Sequence, residues 1–302
     1  MSEIFVGGIE AGGTHYKCVL GTASGDILQS VGFNTSTPDE TIGRALDFFT
    51  GLQVEIQALG VAHFGPVDID QRSPSFGHVL TTPKPGWFDL DVVARYRSVL
   101  SVPIAFQSDV NAAAIGEAAL GAARGLSNFV YVTVGTGIGG GVMINGRLLH
   151  DAGHPEIGHM LVGREHGVDP YEGCCPFHQD CLEGLASGPA LKGRWGRAGE
   201  ELAPDHPAWA LQARYLAAMC VNLTNCYAPE KIILGGGVMQ QPFMPAMIRD
   251  RYLELMKGYM RHVTADAFNE FIVASPMQGN GATRGALLLA GQALRSFKES
   301  IN

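Results

Sequence analysis

The stretch FVYVTVGTGIGGGVMING, residues 129–146, decides the fold of this chain. An apolar run leads into Gly135-Thr136-Gly137, and a second glycine cluster then opens another apolar run that ends in a turn. Two apolar runs joined by a short glycine-containing turn are typical of a β-hairpin. The pattern does not match a Rossmann or P-loop unit, because a strand and not a helix follows the glycines.

The start of the chain repeats this design. Residues 4–9 are apolar and lead into Glu10-Ala-Gly-Gly-Thr14, residues 16–23 form a second predicted strand, and residues 27–34 form a third. A glycine-threonine turn between two apolar strands therefore occurs twice, about 125 residues apart. We infer an internal duplication of one hairpin unit, with each copy at the head of its own half.

Helical and strand patterns alternate along the rest of the chain, which predicts an α/β fold of two related halves. Thr37-Pro38-Asp39-Glu40 has the sequence of a capping box and predicts the start of a helix. Residues 71–88 are polar and rich in turn-forming residues, so we predict a surface loop there. The other predicted elements are strands at 58–64, 103–107, 231–237 and 271–274, and helices at 89–100, 111–123, 206–227, 243–260 and 283–297, with a further helix that starts at Ser187-Gly188-Pro189.

Composition narrows the class of protein. The chain has 302 residues, of which 46% are hydrophobic, so it is globular and long enough to bury a large core. A net charge of −8 argues against a nucleic-acid partner, because proteins that grip phosphates normally carry a basic face. The sequence shows no signal peptide and no apolar run of about 18 residues, so we expect a cytoplasmic protein without a membrane partner. Charged residues make up only 17%, which predicts that surface is buried in an oligomer.

Three glycine clusters follow apolar strands that are far apart in the sequence: residues 12–13, 135–141 and 235–237. Backbone N–H groups at such turns form concave sites for anions, and Thr14 and Thr136 add hydroxyl donors. A tight turn explains any one cluster by itself. Three clusters in a duplicated chain predict a polyphosphate site, for which ATP is the natural ligand.

A group of cysteine and histidine residues lies between residues 154 and 183. Four side chains with thiolate or imidazole ligands and short spacings make up the predicted cluster: His159, Cys175, His178 and Cys181. This ligand set favours a tetrahedral zinc ion, which would be structural because no position is left open. Cys174 or His154 could replace one ligand. A disulfide is the alternative, and the expected reducing compartment argues against it.

Carboxylates flank the predicted zinc cluster. Glu156 lies ahead of it and Glu183 follows it, and carboxylates accept hydrogen bonds from sugar hydroxyls well. His159 could bind both the metal and a sugar, with one ring nitrogen for each.

Asp109 lies between a predicted strand end and a predicted helix start. Transfer of a phosphoryl group to a hydroxyl needs a carboxylate that accepts the hydroxyl proton, and Asp109 is the candidate. The alternative is that Ser108-Asp109 only caps the helix. Glu10 precedes the first glycine turn and either positions Mg²⁺ through water or is a strand-end acid that faces solvent.

Seven motifs, in the same order along the chain, resemble the ROK family of sugar kinases, and within it the zinc-containing bacterial fructokinases. They are GGIEAGGT (7–14), FGPVD (64–68), SDVNAAAIGE (108–117), VGTGIGGG (134–141), HPEIGH (154–159), CPFHQDCLEGLASGPA (175–190) and KIILGGGVMQQ (231–241). The resemblance implies an actin-like ATPase (ribonuclease H-like) fold with its active site in a cleft between two lobes. The smaller lobe would be residues 1–112 with the C-terminal helix of about 286–302, and the larger would be residues 113–285 with the zinc loop 154–183.

The resemblance also implies ATP-dependent phosphorylation of a hexose, usually at O6, with Mg²⁺, and a homodimer. Asp109 would be the catalytic base. The implied sugar contacts are Glu156, His159, Glu183, Gly65 and Pro66. The implied zinc ligands are His159, Cys175, His178 and Cys181. The implied ATP contacts are Gly12, Gly13, Thr14, Gly135, Thr136, Gly137, Pro189, Gly235, Gly236 and Gly237.

Three positions depart from the common family pattern. Glu10 and His15 replace the usual Asp and Lys, and Ser108 replaces the Asn that commonly precedes the catalytic Asp. The fructokinase subgroup shares the Glu and the Ser or Thr, so we predict phosphorylation of D-fructose to fructose 6-phosphate. Kinases of mannose, glucose or N-acetylmannosamine are the alternatives. A sugar-responsive ROK transcriptional repressor is disfavoured, because the first strand begins too close to Met1 for a preceding DNA-binding segment.

Overall fold

The computed structural model describes residues 4–149, 155–259 and 268–301. The chain divides into two compact units. The first comprises Met1–Gly121, Leu149–His154 and Asn280–Asn302, and the second comprises Ala122–Leu148 and Pro155–Gly279.

Twelve strands and eight α-helices are described. In chain order they are β1 (Phe5–Ala11), β2 (His15–Thr22), β3 (Ile27–Asn34), α1 (Pro38–Thr50), β4 (Leu59–His63), β5 (His78–Val79), β6 (Leu90–Asp91), α2 (Val92–Arg97), β7 (Ile104–Ser108), α3 (Asp109–Leu120), β8 (Phe129–Val134), β9 (Ile138–Ile144), β10 (Arg147–Leu148), α4 (Leu182–Ala186), α5 (Gly188–Trp195), α6 (Ala208–Tyr227), β11 (Lys231–Gly235), α7 (Met244–Met256), β12 (Ile272–Ala274) and α8 (Gly281–Ile301). None of the helices in the described ranges is both long and apolar enough to cross a membrane.

Each unit contains a five-stranded mixed sheet, and the two sheets have the same topology. The strand order is β3-β2-β1-β4-β7 in the first unit and β10-β9-β8-β11-β12 in the second. In both sheets the leading hairpin is antiparallel, and two later strands run parallel to its first strand. The duplication inferred from the two glycine-turned hairpins is thus present in the strand order itself.

Parallel strands in the first sheet bring distant loops to one edge. Ala11 of β1 pairs with His63 of β4, and His63 pairs with Ser108 of β7. Since the carboxyl ends of parallel strands lie at the same edge, the segments that begin at Gly12, Phe64 and Asp109 start side by side. The second sheet repeats this arrangement, with Thr133 of β8 opposite Gly235 of β11.

The helices α3 and α8 pack closely because glycines line their contact. A Cβ atom on Gly116 would lie 2.5 Å from the Gly281 carbonyl oxygen, and a Cβ atom on Gly285 would overlap the backbone of Ala112. The predicted lobe boundary was at residues 112–113. In the structure all of α3 belongs to the first unit, because it packs along α8.

Local details differ from the sequence predictions at three places. The capping box at α1 is wrong: the Thr37 side chain makes no cap bond, and Ser36 instead donates to Glu40 at 2.7 Å. The predicted loop 71–88 is interrupted near its middle by β5, which pairs with β6. The predicted helix 89–100 is shorter, because β6 occupies its first residues and α2 begins only at Val92.

His63 is completely buried among aromatic side chains. Its ring centroid lies 5.4 Å from that of Trp87 and 6.2 Å from that of Tyr16. Its Nδ1 atom lies 2.8 Å from the Phe64 carbonyl oxygen. Burial lowers the pKa of His63 from 6.5 to about 4, because the charged imidazolium would lose its hydration.

This shift predicts a pH dependence of stability. Between about pH 6.5 and pH 4 the unfolded chain binds a proton at His63 and the folded chain does not, so the free energy of unfolding falls as the pH falls through this window. His63→Asn should remove up to about 3 kcal/mol of that fall. Urea unfolding at a series of pH values measures it. His166→Asn, at an exposed histidine, should keep the wild-type profile, and an unchanged profile in His63→Asn would contradict the account.

The glycine contact between α3 and α8 gives a second prediction. Gly285→Ala should lower the free energy of unfolding by about 2 kcal/mol or more, since the new methyl group overlaps the α3 backbone. Gly43→Ala in α1 is the matched control, because its methyl group would meet open space. That control should be neutral or stabilising by about 0.5–1 kcal/mol. Equal stability of the two variants in thermal or urea unfolding would refute the close packing.

Candidate functional site

Asp109 begins α3 at the carboxyl edge of the first sheet. Ser108 is the N-cap of this helix, and its hydroxyl oxygen accepts the Asn111 N–H at 3.3 Å. The half-buried Asp109 lies in the first turn, where its Oδ1 atom accepts the Val110 N–H at 2.8 Å. Ser108 is therefore the cap residue of α3, and Asp109 accepts one further N–H of the first turn.

Two buried amides that the sequence analysis did not single out hold the start of α3. Gln107 Oε1 accepts both the Ser108 N–H at 3.1 Å and the Asn111 side-chain amide at 3.0 Å. Asn111 is completely buried, and its Oδ1 atom has no hydrogen-bond partner among the residues that the structure describes. The sequence signal for this pair was Asn111, an asparagine inside an alanine-rich apolar helix, because a buried amide needs hydrogen-bond partners. Gln107 therefore ties together Ser108 and Asn111, the residues on either side of the Asp109–Val110 pair.

The turn at Gly12, Gly13 and Thr14 joins β1 to β2. The Gly12 N–H donates to the His15 carbonyl at 2.9 Å, and the Thr35 hydroxyl donates to the Gly12 carbonyl at 2.7 Å. No atom lies within 4 Å of the position that a Cβ on Gly13 would take, and Thr14 is exposed. Hydrogen bonds therefore hold the turn at Gly12, whereas Gly13 and Thr14 are open to a ligand.

Gly65 and Pro66 follow β4 at the same edge. The Phe64 N–H donates to the Ala11 carbonyl at 2.7 Å, and the Leu80 N–H donates to the Pro66 carbonyl at 2.7 Å. The peptide bond between Gly65 and Pro66 is cis. The first unit thus brings the first glycine turn, this segment and Asp109 to one edge of its sheet.

The alternative that Glu10 is a strand-end acid facing solvent is wrong. Its carboxylate is half-buried and accepts the Thr283 hydroxyl of α8, and Lys17 nearby donates to Asn280 at 2.5 Å. Burial raises the pKa of Glu10, although the hydrogen bond from Thr283 opposes this shift. Glu10 therefore ties β1 to the start of α8.

The second unit brings two glycine clusters together. The Gly135 N–H donates to the Gly137 carbonyl at 2.9 Å, and the Gly188 N–H donates to the Gly135 carbonyl at 2.8 Å. Gly236 has φ +90°, and a Cβ atom there would overlap the Val134 backbone. The turn 135–137, the segment 235–237 and the start of α5 with the exposed Pro189 therefore meet at one place.

The four predicted zinc ligands also converge. Their ligand atoms all lie within 4.8 Å of one another: His159, Cys175, His178 and Cys181. His159 Nδ1 lies 3.7 Å from Cys175 Sγ and 3.5 Å from Cys181 Sγ, and His178 Nδ1 lies 3.8 Å from Cys175 Sγ. Sulfur and nitrogen ligands of one tetrahedral zinc ion are about 3.6 Å apart, given Zn–S of about 2.3 Å and Zn–N of about 2.0–2.1 Å. The donor set therefore fits zinc.

The backbone preforms this cluster. Cys175 and Gln179 exchange two backbone hydrogen bonds, of 3.2 and 3.0 Å, which close a tight loop with Gln179 at φ +57°. Burial raises the pKa of the Cys181 thiol to about 11. Cys174 is exposed and is not part of the cluster. The other alternative ligand, His154, lies outside the described residues.

The two predicted sugar carboxylates adjoin the cluster. Glu156 precedes the 3₁₀ turn that carries His159, and its carbonyl accepts the His159 N–H at 3.0 Å. Glu183 lies in α4, and its Oε2 atom accepts the Ile138 N–H at 2.8 Å. Because Nδ1 of His159 faces the sulfur atoms, Nε2 lies on the opposite side of the ring.

A buried ion pair that the sequence analysis missed supports this region. Asp169 is fully buried and accepts two hydrogen bonds from Arg194, at 2.9 and 3.0 Å, and one from the Tyr215 hydroxyl at 2.6 Å. Burial alone would raise the pKa of Asp169, but these donors lower it below its usual value. Arg194 also donates to the Leu185 carbonyl at 2.8 Å, which holds the end of α4.

Known proteins are similar to this chain in sequence and in fold. The fructokinase of Pediococcus pentosaceus is 40% identical over 293 residues, which cover 97% of this chain and 100% of that protein. The fructokinase of Zymomonas mobilis is 39% identical over 290 residues, 94% of this chain and 95% of that protein. The crystal structure of a ROK family glucokinase from Streptomyces griseus in complex with glucose and AMPPNP matches with a TM-score of 0.79 at 25% identity, over 95% of this chain and 99% of that one.

The likeness to this kinase structure confirms the predicted α/β fold of the actin-like ATPase class. The sequence profile of the ROK family matches residues 6–293. The chain therefore belongs to the ROK family.

Proposed function

We propose that this protein phosphorylates D-fructose at O6 with ATP, and that Asp109 is the general base. The observation that carries the proposal is identity of about 40% with curated fructokinases over nearly the whole of both chains. The ROK glucokinase from Streptomyces griseus is more distant, at 25% identity. Fructose is therefore favoured over glucose, and also over mannose and N-acetylmannosamine. The same relatives favour an enzyme over a transcriptional repressor.

In the proposed reaction the O6 hydroxyl transfers its proton to the Asp109 carboxylate as its oxygen attacks the γ-phosphorus of ATP. The bond from the γ-phosphorus to the bridging oxygen breaks, and ADP leaves with that electron pair. The position of Asp109 at the start of α3, in a first turn that Gln107 holds through Ser108 and Asn111, supports this role. ATP would arrive with Mg²⁺, which neutralises charge on the phosphates.

The glycine turns would bind the nucleotide. Backbone N–H groups at the exposed Gly13 and Thr14, and around Gly135 to Gly137, would hold the phosphates, because such turns bind anions. We place Gly235 to Gly237 and Pro189 near the nucleoside. Their approach to the 135–137 turn in the second unit supports this assignment.

We assign the sugar to Glu156, Glu183, His159 Nε2 and the Gly65-Pro66 segment. Carboxylates and a neutral imidazole accept hydrogen bonds from sugar hydroxyls. A zinc ion held by His159 Nδ1 and three further ligands would fix the orientation of the imidazole ring. In metal-bound histidines the other ring nitrogen usually makes a hydrogen bond, and here Nε2 would make it to the sugar. Four protein ligands leave no open position, so this zinc would be structural.

We also propose that the protein is a homodimer. The proposal rests on the low share of charged residues, 17% of the chain, which indicates that part of the surface is covered.

Asp109→Asn tests the proposed base. The variant should lose about 10²–10⁴-fold in kcat for fructose phosphorylation, because the amide cannot accept the hydroxyl proton. Fructose binding by calorimetry and the melting temperature should stay close to wild type. ADP release in a coupled assay measures the loss. Asp47→Asn, at an exposed acid of the same unit, is the control with full activity expected. Turnover by Asp109→Asn within tenfold of wild type would exclude Asp109 as the base.

Cys175→Ser tests the zinc site. Purified protein should contain about one zinc per chain, and this variant should lose both zinc and thermal stability, because metal binding stabilises the folded loop. Cys174→Ser is a matched control at the adjacent residue, which lies outside the cluster and should retain zinc. Elemental analysis and thermal unfolding measure both effects. A metal-free wild-type preparation with full activity and stability would rule the site out.

A further inference from the structure

Glu183 makes a contact that sugar binding does not require. Its Oε2 atom accepts the Ile138 N–H at 2.8 Å, and Ile138 is the buried first residue of β9. A Cβ atom on Gly137 would lie 2.8 Å from the same oxygen. The carboxylate therefore lies against the turn 135–137, which is a predicted phosphate-binding segment.

The same turn is held from its other end. The Gly188 N–H donates to the Gly135 carbonyl at 2.8 Å, and the Gly135 N–H donates to the Gly137 carbonyl at 2.9 Å. Besides its internal bond, the turn is thus held by one hydrogen bond from the start of α5 and one to the carboxylate of α4. Of these two bonds, only the one that Glu183 accepts involves a side chain, so only this bond can be removed by substitution.

Glu183 itself is firmly positioned. The Ser187 N–H donates to the Glu183 carbonyl at 3.1 Å, and Arg194 donates to the Leu185 carbonyl at 2.8 Å. Cys181, a member of the Cys/His cluster, immediately precedes α4. Because α4 is short and held by these bonds, the position of the Glu183 side chain can determine the conformation of the turn 135–137 that it contacts.

We propose that Glu183 is a positioning residue for the nucleotide: it sets the conformation of the turn 135–137 through Ile138, and so couples the sugar site to the phosphate site. The inference deepens the proposed function and rests on it, because it takes the turn as a phosphate site and Glu183 as a sugar contact. A carboxylate has two oxygens. Oε2 binds the turn while Oε1 is the oxygen that would meet a sugar hydroxyl.

The test is the affinity for AMPPNP with Mg²⁺ in the absence of any sugar, measured by calorimetry. Glu183→Ala should weaken nucleotide binding about fivefold to tenfold, the usual effect of losing one hydrogen bond of ordinary strength. Glu183→Gln should stay within about twofold of wild type, because the amide oxygen still accepts the Ile138 N–H. Glu183→Asp keeps the charge but is one methylene too short, so it should weaken binding as Glu183→Ala does.

Glu156→Ala is the matched control. It removes the other carboxylate assigned to the sugar, so it should weaken fructose binding and leave AMPPNP affinity unchanged. Should Glu183→Ala fail to fold, as judged by its melting curve, Glu183→Asp decides. Wild-type AMPPNP affinity in the folded variants would overturn the inference while leaving the proposed function intact. A wild-type protein that binds no AMPPNP would instead overturn the proposed function, and this inference with it.

Discussion

The register of three parallel strands is the constraint on which the first unit depends. Ala11, His63 and Ser108 lie opposite one another, so the glycine turn, the Gly65-Pro66 segment and Asp109 begin at one edge of the sheet. A shift of one residue in any strand would turn its side chains to the other face. Burial of His63 against Trp87 and Tyr16 opposes such a shift, because it would move an aromatic cluster out of the core.

The second unit repeats the topology and adds a preformed loop to it. The loop carries the Cys/His cluster on tight backbone hydrogen bonds, and the Asp169–Arg194 pair holds the helices beside it. Removal of one partner from such a buried pair is strongly destabilising, since the other charge is left without compensation. The helix α4 follows this loop, and its Glu183 side chain accepts the Ile138 N–H beside the turn 135–137. The Cys/His cluster, the Glu183 carboxylate and the glycine turn therefore form one connected structure within the unit.

Local patterns predicted the features that depend on neighbouring residues. Both glycine-turned hairpins have short-range signatures, and so does the Cys/His cluster, with three of its residues in C-x2-H-x2-C spacing. Features that depend on distant partners were missed. The Asp169 pair joins residues 25 and 46 positions apart, and no local pattern marks it. The capping box failed because Ser36, outside the four-residue motif, takes the Glu40 side chain. The helix α4 has only five residues, too few for a periodic pattern.

The central claim is that this chain transfers the γ-phosphoryl group of ATP to O6 of fructose. The most direct measurement compares kcat/KM for fructose, glucose, mannose and N-acetylmannosamine in one coupled ADP-release assay, with the phosphorylated carbon of the product identified by NMR. The account predicts the highest kcat/KM for fructose and a phosphate on carbon 6. A higher kcat/KM for another sugar of the panel, or a product phosphorylated at a different carbon, would contradict it.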